Sequence, residues 1–206
     1  MPFAPEAISA NQIEGSFLLY GKRGMLVGNF PRYVGRRHDR KSDQAPIQCE
    51  KIDPFLFEED ETCTVTQAEF SFLNTIYVYA LIRRQHNQSI SHTFKVYSLV
   101  SRGMEAVQQY NLHDLVERNK YGRFNRGLEF VSFAQCAPLA QDLNTLDVLS
   151  IHFLTGCGDV YLLNPVIMET MIFREDQFSQ MISSLQELVN EDPEDKLVKK
   201  LRIALI

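Results

Sequence analysis

The chain has 206 residues, 45% of them hydrophobic, enough for one domain with a sizeable core. Its formal net charge of −5 gives no global basic field for nucleic acid, and no apolar run approaches the roughly eighteen residues of a membrane helix. The opening residues, MPFAPEAISANQIEG, hold no basic stretch followed by an apolar one, so neither a secretory signal nor membrane insertion is expected.

Gly15 to Phe30 reads as the first hairpin. Phe17–Tyr20 is an apolar strand, Gly21-Lys22-Arg23-Gly24 reverses the chain, and Met25–Phe30 returns it to Pro31. Pro31 to Ala45 is polar and basic, follows no period, and reads as a loop. Arg32, Arg36, Arg37, Arg40 and Lys41 gather positive charge there. They form either a solvated surface or a docking patch for an acidic partner or RNA. RNA is the weaker option, because only Tyr33 is available to stack on a base.

Ile47 to Phe57 holds short apolar pieces around Pro54. Glu58-Glu59-Asp60-Glu61 is expected as a solvated hairpin tip, since no His or spaced Asp completes a metal coordination set. Thr62 to Leu73 alternates as a strand, with Cys63, Val65 and Gln67 on one face, Thr64, Thr66 and Ala68 on the other, and a shift near Ala68. Ile76–Ile82 is apolar on both faces, as a covered middle strand would be. Arg83–Ser91 is expected as a polar hairpin loop and Thr93–Leu99 as the third strand of one meander. Val107–Leu115 fits an outer strand or a helical turn equally well. Val116–Arg126 is a second polar, basic linker, Leu128–Cys136 resumes strand character, and Ala137–Thr145 is a loop.

Leu146 to Pro165 repeats the design of the first hairpin: Val148–Thr155, a reversal over Gly156–Asp159, then Val160–Leu163 before Pro165. Gly158 is expected at positive φ. Two such units suggest the repeated blades of a β-propeller. From Glu175 the period changes. Phe178, Met181, Ile182, Leu185, Leu188 and Val189 recur at three and four, predicting an amphipathic helix over Glu175–Asn190. Pro193 ends it and opens a second helix with Leu197, Val198, Leu201 and Leu205 on one stripe. Residues 1–173 are therefore expected as blades and 174–206 as a helical segment. The first helix packs its stripe against the sheet beside Val160–Leu163, or offers it, through Phe178 and Leu185, to a partner.

Little in the chain points to catalysis. Gly156-x-Gly158 lacks the third glycine and the helix of a phosphate loop, and no Gly-x-Ser-x-Gly elbow occurs. Cys49, Cys63, Cys136 and Cys157 form no Cys-x-x-Cys pair and read as reduced thiols. Ser150 and His152 are expected side by side on one strand face, near Asp147 and Asp159 in sequence; the reading is a structural histidine, not a triad. No catalytic, cofactor or metal residue is assigned, and no enzyme activity, cofactor or small-molecule substrate is expected.

Several stretches, taken together, resemble the N-terminal β-propeller of the nucleoporin-88/nucleoporin-82 family. Ile8–Arg37 resembles the family's blade in which a strand, a Lys-Gly turn and a second strand end in a Leu-Pro-Lys/Arg segment. Thr93–Leu99, TFKVYSL, resembles its x-I-R-x-Y-[SD]-L strand, and Phe130–Leu139 the strand before the next blade. Leu149–Pro165, with Gly158-Asp159-Val160-Tyr161, resembles its L-x-x-x-G-D-[IV]-Y-x-L-x-P hairpin. The resemblance implies an all-β, propeller-like set of antiparallel blades with one or two C-terminal α-helices. Family members carry seven blades and long coiled coils. At about 40–45 residues per blade, this chain holds about four, a partial or short ring. The implied work is scaffolding and docking at the cytoplasmic face of the nuclear pore complex, in mRNA export and protein transport. The implied partners are the C-terminal domain of a nucleoporin-98-type protein and the nucleoporin-214/159 family, with no direct nucleic acid. The alternatives are an RNA-binding module using the two basic linkers, another propeller scaffold outside the nucleoporins, and a ligand-binding or hydrolytic propeller.

Overall fold

The computed structural model describes residues 3–11, 15–30, 47–87, 89–100, 105–117, 128–136, 148–172 and 174–191. They are mostly β, in three antiparallel sheets. The chain divides into two compact units, Met1–Ala134 with Phe153–Tyr161, and Gln135–His152 with Leu162–Ile206.

The first sheet is a meander of β1 (Ala7–Asn11), β2 (Ser16–Gly21), β3 (Gly24–Asn29) and β4 (Cys49–Ile52), in that spatial order. The predicted hairpin is β2–β3, with Gly21 opposite Gly24. Its glycines serve close approach. A Cβ on Gly21 would collide with the Ala4 carbonyl oxygen, and one on Gly24 would come within 2.7 Å of the Phe3 ring. The N-terminal segment therefore lies directly over the turn. β1 adds a strand ahead of the predicted hairpin; AISAN has too little apolar contrast to announce itself.

After β4, Asp53 adopts the left-handed conformation (φ 48°), and α1 (Pro54–Glu59) follows with proline in its first turn. Proline fits there because its missing N–H has no intrahelical partner in any case. Glu58 and Glu59 thus end a helix and do not form a hairpin tip. Asp60 turns the chain into the next strand, accepting the Thr62 amide at 2.9 Å through Oδ1.

The second sheet is β5 (Cys63–Phe70), β6 (Tyr77–His86), β7 (Ser89–Ser98) and β8 (Ala106–Asn111), again in sequential order. The irregularity in β5 falls between Val65 and Gln67, slightly before the predicted place, so the buried face reads Cys63, Val65, Ala68, Phe70. Tyr77–Ile82 is buried throughout, as the middle-strand reading required. Arg83–Ser91 is not a loop. The ladder continues to His86 opposite Ser89, with Asn87 at φ 55°. Backbone pairing does not need apolar side chains, so the polar ends of both strands run on past the core. Val107–Leu115 uses both of its readings in succession, β8 and then α2 (Leu112–Glu117).

The third sheet holds β9 (Phe130–Gln135), β10 (Ile151–Thr155) and β11 (Val160–Leu163), in the order β11-β10-β9. The predicted hairpin is present, although its first strand begins at Ile151 and not at Val148. Thr155 closes the reversal. Its amide donates to the Asp159 carbonyl at 2.9 Å and its Oγ1 accepts the Asp159 amide at 3.0 Å. Gly158 has φ +93°, as expected, with open space around it. Gly158→Val should therefore cost about 1 kcal/mol or more through the backbone alone. A thermal melt reads this directly, and an unchanged midpoint would contradict the turn geometry.

α3 (Glu175–Glu191) matches the predicted helix. Met181 is buried on it, but Phe178 is 49% exposed, so the first residue of the expected apolar stripe is not buried. The Leu185 and Val189 side chains, and the second helix predicted after Pro193, lie outside the described residues.

Two clusters make the core of the first unit. Leu18, Met25, Ile52 and Phe57 pack with Val65, Ala68, Phe70, Val78, Ala80, Ile82 and Tyr97. Facing the other way, Phe94 meets Tyr79, Phe133 and Phe153, with Phe94 to Phe153 centroids 5.1 Å apart. Alternate residues of β6 thus serve the two clusters, which is why its sequence is apolar on both faces.

Candidate docking surfaces

The five basic candidates, Arg32, Arg36, Arg37, Arg40 and Lys41, lie outside the described residues, as does the Leu185 side chain. Of the seven candidates only Phe178 has a described side chain, and it is half exposed on α3. Other apolar side chains stand in solvent on the third sheet: Val131 of β9 (40%), Leu154 of β10 (42%) and Val160 of β11 (63%). Leu162 of β11 is exposed as well (57%), and no contiguous run in the sequence marks these residues, because they alternate along their strands with less exposed ones.

The catalytic readings do not assemble. Ser150 precedes β10 and is buried, whereas His152 in β10 points to solvent, so the two do not share a face. Asp147 lies outside the described residues. Among the described residues no group of three His, Cys, Asp or Glu is arranged to hold a metal. All four cysteines are free thiols, with Cys49 and Cys157 exposed and Cys63 buried.

The polar groups that do converge are structural in form. Asp53 Oδ2 accepts from Lys95 Nζ at 3.1 Å and from the Tyr97 hydroxyl at 3.0 Å. Burial, and then the Asp53 charge, raises the Tyr97 phenol far above its ordinary range, so it stays a donor. The Arg23 guanidinium, at the β2–β3 tip, donates to the carbonyls of Phe57, Asp60 and Cys63. That fixes the turn to the end of α1. Asp60 is held down to about 2, first by the Thr62 hydroxyl and amide, then by Cys63 and Arg84. Burial pushes the Cys63 thiol up despite Arg84, which argues against a nucleophilic role. Arg23, Met25, Lys51, Phe57 and Glu58, with Phe3, line a cavity of about 160 Å³. Its rim charges are already paired, Lys51 with Glu58 at 2.8 Å.

One further group brings two titratable rings together. His92 of β7 is completely buried, and its Nδ1 lies 3.2 Å from His113 Nε2 on α2. The two rings are nearly parallel, and the Phe130 ring stands edge-on to both.

No protein-family model matches the chain, and a search of curated proteins finds no significant match.

Proposed function

We propose that this chain is a docking scaffold of the nuclear pore complex, acting through protein–protein contacts at its cytoplasmic face in mRNA export and protein transport. The observation that carries the reading is collinearity. The family-like segments follow one another in family order, and the described part of each includes strand residues: of β1–β3 in Ile8–Arg37, of β7 in Thr93–Leu99, of β9 in Phe130–Leu139, and of β10–β11 in Leu149–Pro165. Two successive four-stranded antiparallel meanders are the form a propeller blade takes, which supports reading the sheets as blades. The solvent-facing Val131, Leu154, Val160 and Phe178 offer apolar anchors of the kind that interfaces bury. The partners are the C-terminal domain of a nucleoporin-98-type protein and the nucleoporin-214/159 family.

Affinity capture from native lysate at moderate salt tests the assignment: nucleoporins should be the enriched proteins. RNA-dependent recovery, abolished by nuclease, would favour the basic linkers as an RNA module. In the docking reading, reversing Arg36 and Arg37 to Glu weakens partner binding and reduces its salt dependence. The same change should move stability by no more than about 0.5 kcal/mol, as surface changes usually do. Binding indifferent to both substitutions would remove the basic loop from the interface.

A further inference from the structure

We propose that the His92–His113 pair is an acid-sensitive latch that fastens α2 over β7 at neutral pH and lets it open as the medium acidifies. The latch joins two residues 21 apart in sequence, one on β7 and one on α2. His92 sits inside β7, opposite Arg83 of β6, and α2 packs on β7. The ring has no exposed surface, and its Nε2 has no hydrogen-bond partner. One N–H···N bond joins the neutral rings when one facing nitrogen carries its hydrogen and the other is bare, in either direction, because a neutral imidazole has one donor and one acceptor.

A second proton has no good place in this arrangement. With both rings charged, both facing nitrogens would carry hydrogen and the bond would be lost. A proton on Nε2 would sit among aromatic rings without an acceptor. The groups around the pair favour the neutral state. From β6, Arg83 adds positive charge, and the nearby carboxylate of Glu129, next to Phe130, is engaged with that guanidinium at 3.0 Å. From β9 comes the Phe130 ring, 5.7 Å away, and β8 contributes the neutral Tyr110 above Phe94. On α2 the carboxylate following His113 is Asp114, which is exposed. Burial first, then His113 and Arg83, hold His92 down to about 4 against 6.5 in water.

The sign follows. His92 is depressed in the closed form, so opened chains bind more protons between pH 6.5 and about 4. The latch is intact above pH 6.5 and weakens as pH falls through that window. For one histidine, opening grows by at most about tenfold per pH unit.

Hydrogen exchange on the full chain tests this, read at the α2 amides from pH 7.5 to 5 and corrected for intrinsic rates. Protection of Leu112–Glu117 should fall several-fold below pH 6.5 while β2 and β3 amides keep theirs. His92→Phe should flatten the α2 response. If that variant does not fold, the imidazole nitrogen shifts of the unaltered chain give a second reading. His92 should then stay largely neutral at pH 5 in molecules whose α2 is closed. Constant α2 protection, loss in step with β2 and β3, or His92 charging near 6.5 with α2 still protected would each overturn the latch.

Discussion

Phe94→Ala should lower the unfolding free energy by about 3–5 kcal/mol, the range for emptying a buried aromatic site. Phe94 has no exposed surface. Its ring lies 5.5 Å from Tyr79, 5.4 Å from Phe133 and 5.1 Å from Phe153, centroid to centroid. Those neighbours come from β6, β9 and β10, so no single strand can shift to fill the hole. Domains commonly hold only about 5–15 kcal/mol in total, and the loss would consume a large share of it. Urea denaturation measures the change. A midpoint shift worth less than about 1 kcal/mol would mean that the aromatic cluster is not packed as described. Phe94→Leu keeps most of the volume and should lose clearly less.

Asp53→Ala should cost about 3–5 kcal/mol, because it strands the Lys95 ammonium. Lys95 and Asp53 side chains are 11% and 12% exposed, so water cannot readily replace the lost partner. Part of the loss has a different origin. Asp53 sits at φ 48°, a region Asp and Asn tolerate and Ala resists. Asp53→Asn keeps the backbone preference and can still accept the Tyr97 hydroxyl, so its difference from the native chain isolates the charge, and its difference from Asp53→Ala reports the backbone and that hydrogen bond. In the Asp53→Asn, Lys95→Met double variant the charge is absent from both sides. It should be more stable than Asp53→Asn alone, with a coupling of about 1 kcal/mol or more from the double-mutant cycle. Strict additivity would deny the ion pair any energetic role.

The parts of the fold written in local pattern were legible. Glycine pairs flanked by apolar runs gave β2–β3 and β10–β11, and the two-faced apolar run gave β6. The period of three and four gave α3. What was missed carries no local signal. The outer halves of β6 and β7, from Arg83 to Ser91, pair through the backbone while their side chains look like a loop. α1 is only six residues long and starts at a proline, so no period could develop. Asp53 meets Lys95 and Tyr97 across 42 and 44 residues, and nothing in the sequence links those positions. The same holds for His92 and His113. The candidate site was legible only as composition, in a cluster of basic residues and an amphipathic stripe. Composition does not say that Phe178 stands half out of its helix, or that Val131, Leu154 and Val160 are left facing solvent.

Isothermal titration of this chain with the purified C-terminal domain of a nucleoporin-98-type protein, near physiological salt, tests the docking account most directly. Saturable one-to-one binding at about 10 μM or tighter, roughly −7 kcal/mol, is the expected result. Absence of both binding heat and co-elution at about 100 μM of each protein, roughly −5.5 kcal/mol, would contradict it.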